Sequence, residues 1–191
     1  MTLDSLTALD SAVTAFRRHL AFVAEDDWAA ATPCPGWDVH YLVAHVVGGN
    51  RFACMVLDGQ TAEQAMTAVM SARQLSADPT ADFDDSVAAQ RVGFCREGAL
   101  AQIVGHPLGD LPGRRFLDIR VFDIAVHSWD LAVAIGRDGT LDEALTDSVL
   151  TIVTGEAPGM GFGIQPLGEA SPDADPMDQL LDLAGRSALP R

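Results

Sequence analysis

Apolar positions recur at three- and four-residue intervals along most of the chain. Leu3, Leu6, Leu9, Val13, Phe16, Leu20 and Val23 predict a first helix over 3–25. Thr32-Pro33-Cys34-Pro35-Gly36 interrupts it, because two prolines so close cannot continue a helix. A second helix follows over 38–57, with Asp38 as its N-cap and Leu42, Val46, Gly49, Ala53 and Val56 along one stripe. Shorter helical patterns cover 61–75 and 83–96, parted by Asp78-Pro79-Thr80. The segment 99–115 carries Gly105, Pro107, Gly109, Pro112 and Gly113 and reads as a turn or a poor hairpin. Helices are predicted again over 116–135, 141–153 and 176–184, with a Gly/Pro-rich stretch from Gly155 to Pro176 before the last. Strand-like alternation is nearly absent. The pattern predicts an all-α fold: one domain over 1–191, a four-helix bundle with short extra helices and a C-terminal loop packed on it.

Two polar insertions disturb the apolar stripes. In the helix over 116–135, Ile119, Phe122, Val126, Trp129 and Val133 form the apolar face, yet Asp123, His127 and Asp130 fall on the same side. In the second helix His45 sits between Val43-Ala44 and Val46-Val47 and faces inward, whereas His40 lies about 140° away around the helix axis. A carboxylate and imidazoles aimed into a core are costly unless paired or bound to a metal. His45, Asp123 and His127 make a two-histidine, one-carboxylate set that facing helices can converge on one divalent ion, leaving coordination positions open. The bland alternative stands beside it: Asp123 pairs with His127, and Asp130 caps a neighbouring helix or bonds Arg120 or Arg137.

Composition narrows the partners. The 191 residues carry 12 Lys+Arg against 27 Asp+Glu, a formal net charge of −15, which repels nucleic-acid phosphates and anionic membranes. No apolar run reaches the roughly 20 residues of a bilayer span, and the first ten residues lack a signal-peptide pattern, so a cytoplasmic protein is expected. Cys34, Cys54 and Cys95 are odd in number without CxxC spacing, which suits reduced thiols. Cys34, between two prolines, reads as a packing residue in a buried loop. Gly48-Gly49 reads as close helix packing, and Gly155 to Gly163 as either a mobile lid or a surface loop.

The run from Thr32 through Trp37 and His45 to Asn50, together with Asp123-Ile-Ala-Val-His127-Ser-Trp-Asp130, resembles the DinB-like superfamily. The closer likeness is its actinobacterial branch, which includes the N-terminal domain of mycothiol-dependent maleylpyruvate isomerase. The ending from Asp178 to Pro190 is similar to small metal-binding members that stop without a further domain. The resemblance implies a divalent metal, often zinc or nickel, held by the residues at His45, Asp123 and His127, with Asp130 orienting a ligand or a bound thiol. It also implies mycothiol as cosubstrate, a small electrophile as its partner, and, by analogy, a homodimer. Such a protein would be a thiol transferase or isomerase; a non-catalytic metal- or ligand-binding bundle and a metal-free helical dimer are the alternatives. Two departures from the isomerase pattern are visible: Asp123 stands where the isomerase usually carries Glu, and no sizeable C-terminal domain follows the bundle.

Overall fold

The computed structural model describes residues 2–72, 74–155 and 165–187. Among these, the chain forms α1 (Ser5–Leu20), α2 (Val39–Leu57), α3 (Ala62–Ser71), α4 (Pro79–Cys95), α5 (Gly113–Ala134), α6 (Glu143–Thr154) and α7 (Pro176–Leu183). A 3-10 turn spans Glu25–Ala29, and a two-stranded antiparallel ribbon pairs β1 (Ile103–Val104) with β2 (Leu111–Pro112). The all-α expectation holds, and the hairpin within 99–115 is present in minimal form.

Helix starts follow the local chemistry. Asp4, Asp38, Thr61, Asp78, Asp142 and Asp175 each accept a backbone N–H from the first turn of the helix they precede. α4 begins at Pro79, four residues before the predicted start at Phe83. Proline suits the first helical position, where its missing N–H goes unused, so Asp78-Pro79 opens the helix. α5 has no side-chain cap. The hairpin satisfies its first donors instead, with Gly113 N–H donating to the Gln102 carbonyl and Arg114 N–H to that of Leu100. α1 stops at Leu20, short of the predicted Glu25. Phe22 then lies exposed beneath the Arg137 guanidinium, 3.6 Å from its ring centre.

α1, α2, α4 and α5 form the bundle: α1 lies along α5, and α2 packs on both α4 and α5. Phe16 stacks on Phe83 at 4.9 Å, and Phe116 meets Phe94 and Phe52 edge-on at 5.9 and 6.0 Å. α5 is the central helix, and here the structure corrects the expectation of a single apolar face. Leu117, Val121, Ile124, Ala125 and Leu131 are buried on its other sides, because α1, α2 and α6 cover it all round. On this buried stretch Arg120, Asp123, His127 and Asp130 are all held by partners, whereas the buried Ser128 hydroxyl has none among the described residues.

Candidate metal centre

The site lies where α2 meets α5. Cys34-Pro35-Gly36-Trp37 makes a turn in which Trp37 N–H donates to the Cys34 carbonyl at 3.0 Å. Pro35 fits the second position and Gly36, at φ +79°, supplies the left-handed third, the residue pattern of a type II turn. The turn delivers two side chains to the site. Cys34 points inward and is buried. Trp37 packs over both imidazoles, 4.8 Å from the His45 ring and 5.6 Å from that of His127.

The structure brings His45, Asp123 and His127 together. Asp123 Oδ1 lies 3.1 Å from His45 Nε2 and 3.5 Å from His127 Nε2. One donor atom from each of the three falls within 4.8 Å of the others, so a single ion can reach all three. Two ligands about 2.1 Å from a tetrahedral ion stand about 3.4 Å apart, close to the 3.1 and 3.5 Å from Asp123 Oδ1 to the two imidazole nitrogens. Asp123 can offer only one oxygen to such an ion, because Oδ2 accepts from Arg120 Nη1 at 2.7 Å. That ion pair fixes the Asp123 carboxylate in place. Arg120 is itself buried, donating from Nε to Gln90 Oε1 and from Nη2 to Asn50 Oδ1 and the Val46 carbonyl. Gly49 makes room for it, since a Cβ there would overlap the guanidinium.

On its other nitrogen, His127 faces Asp130. His127 Nδ1 donates to Asp130 Oδ2 at 2.8 Å, which directs Nε2 toward Asp123 and His45. Asp130 is fully buried and its remaining capacity is taken by Arg186, from Nη2 at 2.8 Å and Nε at 3.1 Å. The Cys34 thiol donates to Asp130 Oδ2 at 3.2 Å and lies 3.2 Å from Arg186 Nη2. Asp130 thus bonds neither Arg120 nor Arg137 and caps no helix. Gly185, at φ +70°, ends α7 and turns the chain so that Arg186 can reach back to α5.

Electrostatics follows from this packing. Burial alone would raise the Asp123 carboxyl, but His45, Arg120 and His127 together outweigh it and hold the group well below the usual carboxylate range. Burial alone would lower His127, yet Asp123, Asp130 and Cys34 together push it well above the ordinary imidazole value. Burial likewise opposes ionisation of Asp130, and hydrogen bonds from His127 and Arg186 win, keeping it lowered. In the absence of an ion the site is a closed chain of charges running Arg120, Asp123, His127, Asp130, Arg186.

Cys34, His127 and Asp130 form a second triplet whose donor atoms also lie within 4.8 Å of one another. It shares His127 with the first, so the two sets compete for one imidazole. A cavity of about 340 Å³ opens against both, walled by Cys34, Trp37, His45, Phe122, His127 and Arg186 among others. His40 is exposed and stays outside, as its position on α2 predicts. The Gly155 to Gly163 segment read as lid or loop lies, beyond Gly155, outside the described residues.

The family model for the Mycothiol maleylpyruvate isomerase N-terminal domain matches residues 9–132, from α1 to the end of α5. The chain belongs to this family. The matched span holds His45, Asp123, His127 and Asp130 and ends before Arg186. Two Mycobacterium tuberculosis relatives, Uncharacterized protein Rv0738 (strain H37Rv) and Uncharacterized protein MT0763 (strain CDC 1551), are each 31% identical. Each alignment spans 97% of this chain and 99% of the relative. Crystal structures of the mycothiol-dependent maleylpyruvate isomerase and of a histidine-to-alanine mutant both superpose with a TM-score of 0.63 at 20% identity. Each covers 78% of this chain and 68% of the isomerase, a likeness that establishes the shared fold. Among the described residues, no helix of this family member is long and apolar enough to cross a membrane.

Proposed function

We propose that the chain is a metal-dependent, thiol-handling enzyme, a mycothiol-dependent transferase or isomerase acting on a small electrophile. The observation that carries the reading is Asp123 Oδ1 set between two imidazole nitrogens at 3.1 and 3.5 Å, with Arg120 holding Asp123 and Asp130 holding His127. Family membership supplies the thiol: the solved isomerase is by name mycothiol-dependent.

His45, Asp123 and His127 would hold the ion, and two nitrogens with one oxygen suit zinc or nickel. When bound, such an ion supplies Lewis acidity that keeps a coordinated thiol deprotonated at neutral pH. The chain's own residues do the rest. Asp130 holds the proton on His127 Nδ1 and so presents Nε2 as a lone pair. Arg120 clamps Oδ2 of Asp123 and leaves Oδ1 directed at the site. Trp37 packs against both rings and limits their orientations. The 340 Å³ cavity beside Trp37 and Arg186 admits the thiol.

The test has two stages. Elemental analysis after zinc or nickel reconstitution at neutral pH is expected to give one ion per chain; none bound would leave the charge chain as a structural ion-pair network. Conjugation of mycothiol to a panel of reactive electrophiles is then expected to proceed with loaded protein. Metal uptake without any conjugation would instead mark a non-catalytic binding bundle.

A further inference from the structure

His45 and Asp123 also wall a second cavity, of about 150 Å³, between α2, α3 and α5 and completed by the loop carrying His106 and Pro107. Its lining is dominated by Phe52, Met66, Val69, Met70, Phe116 and Ile119. Apolar cavities of about this volume take up benzene-sized molecules. Gly48 sets the size: a Cβ there would stand 2.9 Å from Val69 Cγ1, so α3 sits close against α2.

The cations at this cavity are committed elsewhere. Arg120 spends its donors on Asp123, Gln90, Asn50 and Val46. Burial pushes the His106 imidazole down to about 4, so it is neutral at pH 7. A carboxylate entering here would leave water for a wall of mostly apolar side chains whose one guanidinium is already paired, inside a chain of net charge −15. An uncharged apolar molecule meets no such cost. Met66 and Met70, one helical turn apart and both exposed, form a flexible rim that can adapt to its shape.

We infer that this cavity binds an uncharged, predominantly apolar molecule of about benzene size, and that it is the berth of the electrophile. Binding rests on the cavity alone; the role as berth rests on the thiol-dependent reading above. The two cavities share His45 and Asp123 as a common wall, so the thiol and the electrophile reach the ligand cluster from separate pockets. Specificity for an uncharged partner then resides in the α3 methionines and Val69.

The experiment is a titration of the protein, labelled with carbon-13 at the methionine methyls, against toluene before and after zinc reconstitution, and separately against maleate in the metal-free protein. Toluene is expected to shift Met66 and Met70 saturably and to leave Met177 on α7 unmoved, while maleate shifts neither rim residue. Val69→Phe, which fills the cavity, is expected to weaken toluene binding at least tenfold with zinc affinity retained. Unmoved Met66 and Met70 with toluene, or a saturable maleate shift there, would overturn the ligand class in the wild-type protein, whatever becomes of the variant. Zinc and mycothiol uptake without a toluene response refutes the cavity and spares the thiol reading. A toluene response in protein that takes up neither refutes the role as berth and leaves the binding site standing.

Discussion

Replacing Asp130 by Asn removes one charge from the centre of the buried chain and leaves its shape intact. Asp130 accepts from His127, Arg186 and Cys34 while wholly buried, and the Arg186 side chain is only 13% exposed. Breaking a buried pair by neutralising one partner costs about 3–5 kcal/mol, because the other charge is stranded. Asn keeps one acceptor oxygen, so a loss near the lower end, about 3 kcal/mol, is expected in urea denaturation of metal-free protein at pH 7. The Asp130 pKa is lowered on folding, so its contribution is complete above about pH 4 and fades as pH falls through the lower folded value; the gap between wild type and variant closes in acid. The second effect is on the ion. His127 loses the partner that fixes its tautomer, and losses of this kind weaken metal binding about 10- to 100-fold, roughly 1.4–2.7 kcal/mol. Zinc competition against a chromogenic chelator measures it. A folded Asp130→Asn protein with wild-type stability and wild-type zinc affinity would refute the claim that Asp130 positions His127.

Other substitutions probe the remaining joints. His45→Ala and His127→Ala are each expected to lose most zinc affinity in the same chelator assay, whereas His19→Ala and His106→Ala change it little; equal affinity in all four would contradict the ligand assignment. Gly49→Ala drives a methyl into Arg120 and is expected to cost about 1–3 kcal/mol of stability by denaturation, and to loosen zinc as Asp123 loses its clamp. Buried His106 titrates near 4 when folded and near 6.5 when unfolded, so its contribution is whole above pH 6.5 and is lost as pH falls. That loss amounts to about 3 kcal/mol between pH 6.5 and 4, and a pH series on His106→Gln against wild type should show it missing in the variant.

The convergence of His45, Asp123 and His127 was legible because helical periodicity fixes direction. Once 38–57 and 116–135 are helices, the facing of His45, Asp123 and His127 follows from the 100° step. A charged group among apolar neighbours then stands out. Arg120 carried the same signal, three residues before Asp123 on one helix, and was assigned only as a candidate partner of Asp130. Arg186 carried none: its contact with Asp130 bridges 56 residues and depends on where Gly185 turns the chain after α7. Cys34 was read as packing, correctly as to burial, but its place beside Asp130 and Arg186 is set by a turn docking on a distant helix. Helix ends failed where proline has two meanings. Pro79 reads as a breaker from the preceding side and as a first helical residue from the following one, and the Asp78 cap decides between them.

Zinc K-edge X-ray absorption on the reconstituted protein, free of added thiol, tests the central assignment most directly. The two candidate triplets share His127 and differ in whether sulfur is present. Binding by His45, Asp123 and His127 predicts a shell of nitrogen and oxygen alone at about 2.0–2.2 Å, with multiple-scattering features from two imidazoles. A sulfur scatterer at about 2.3 Å would place the ion at Cys34 and contradict the assignment.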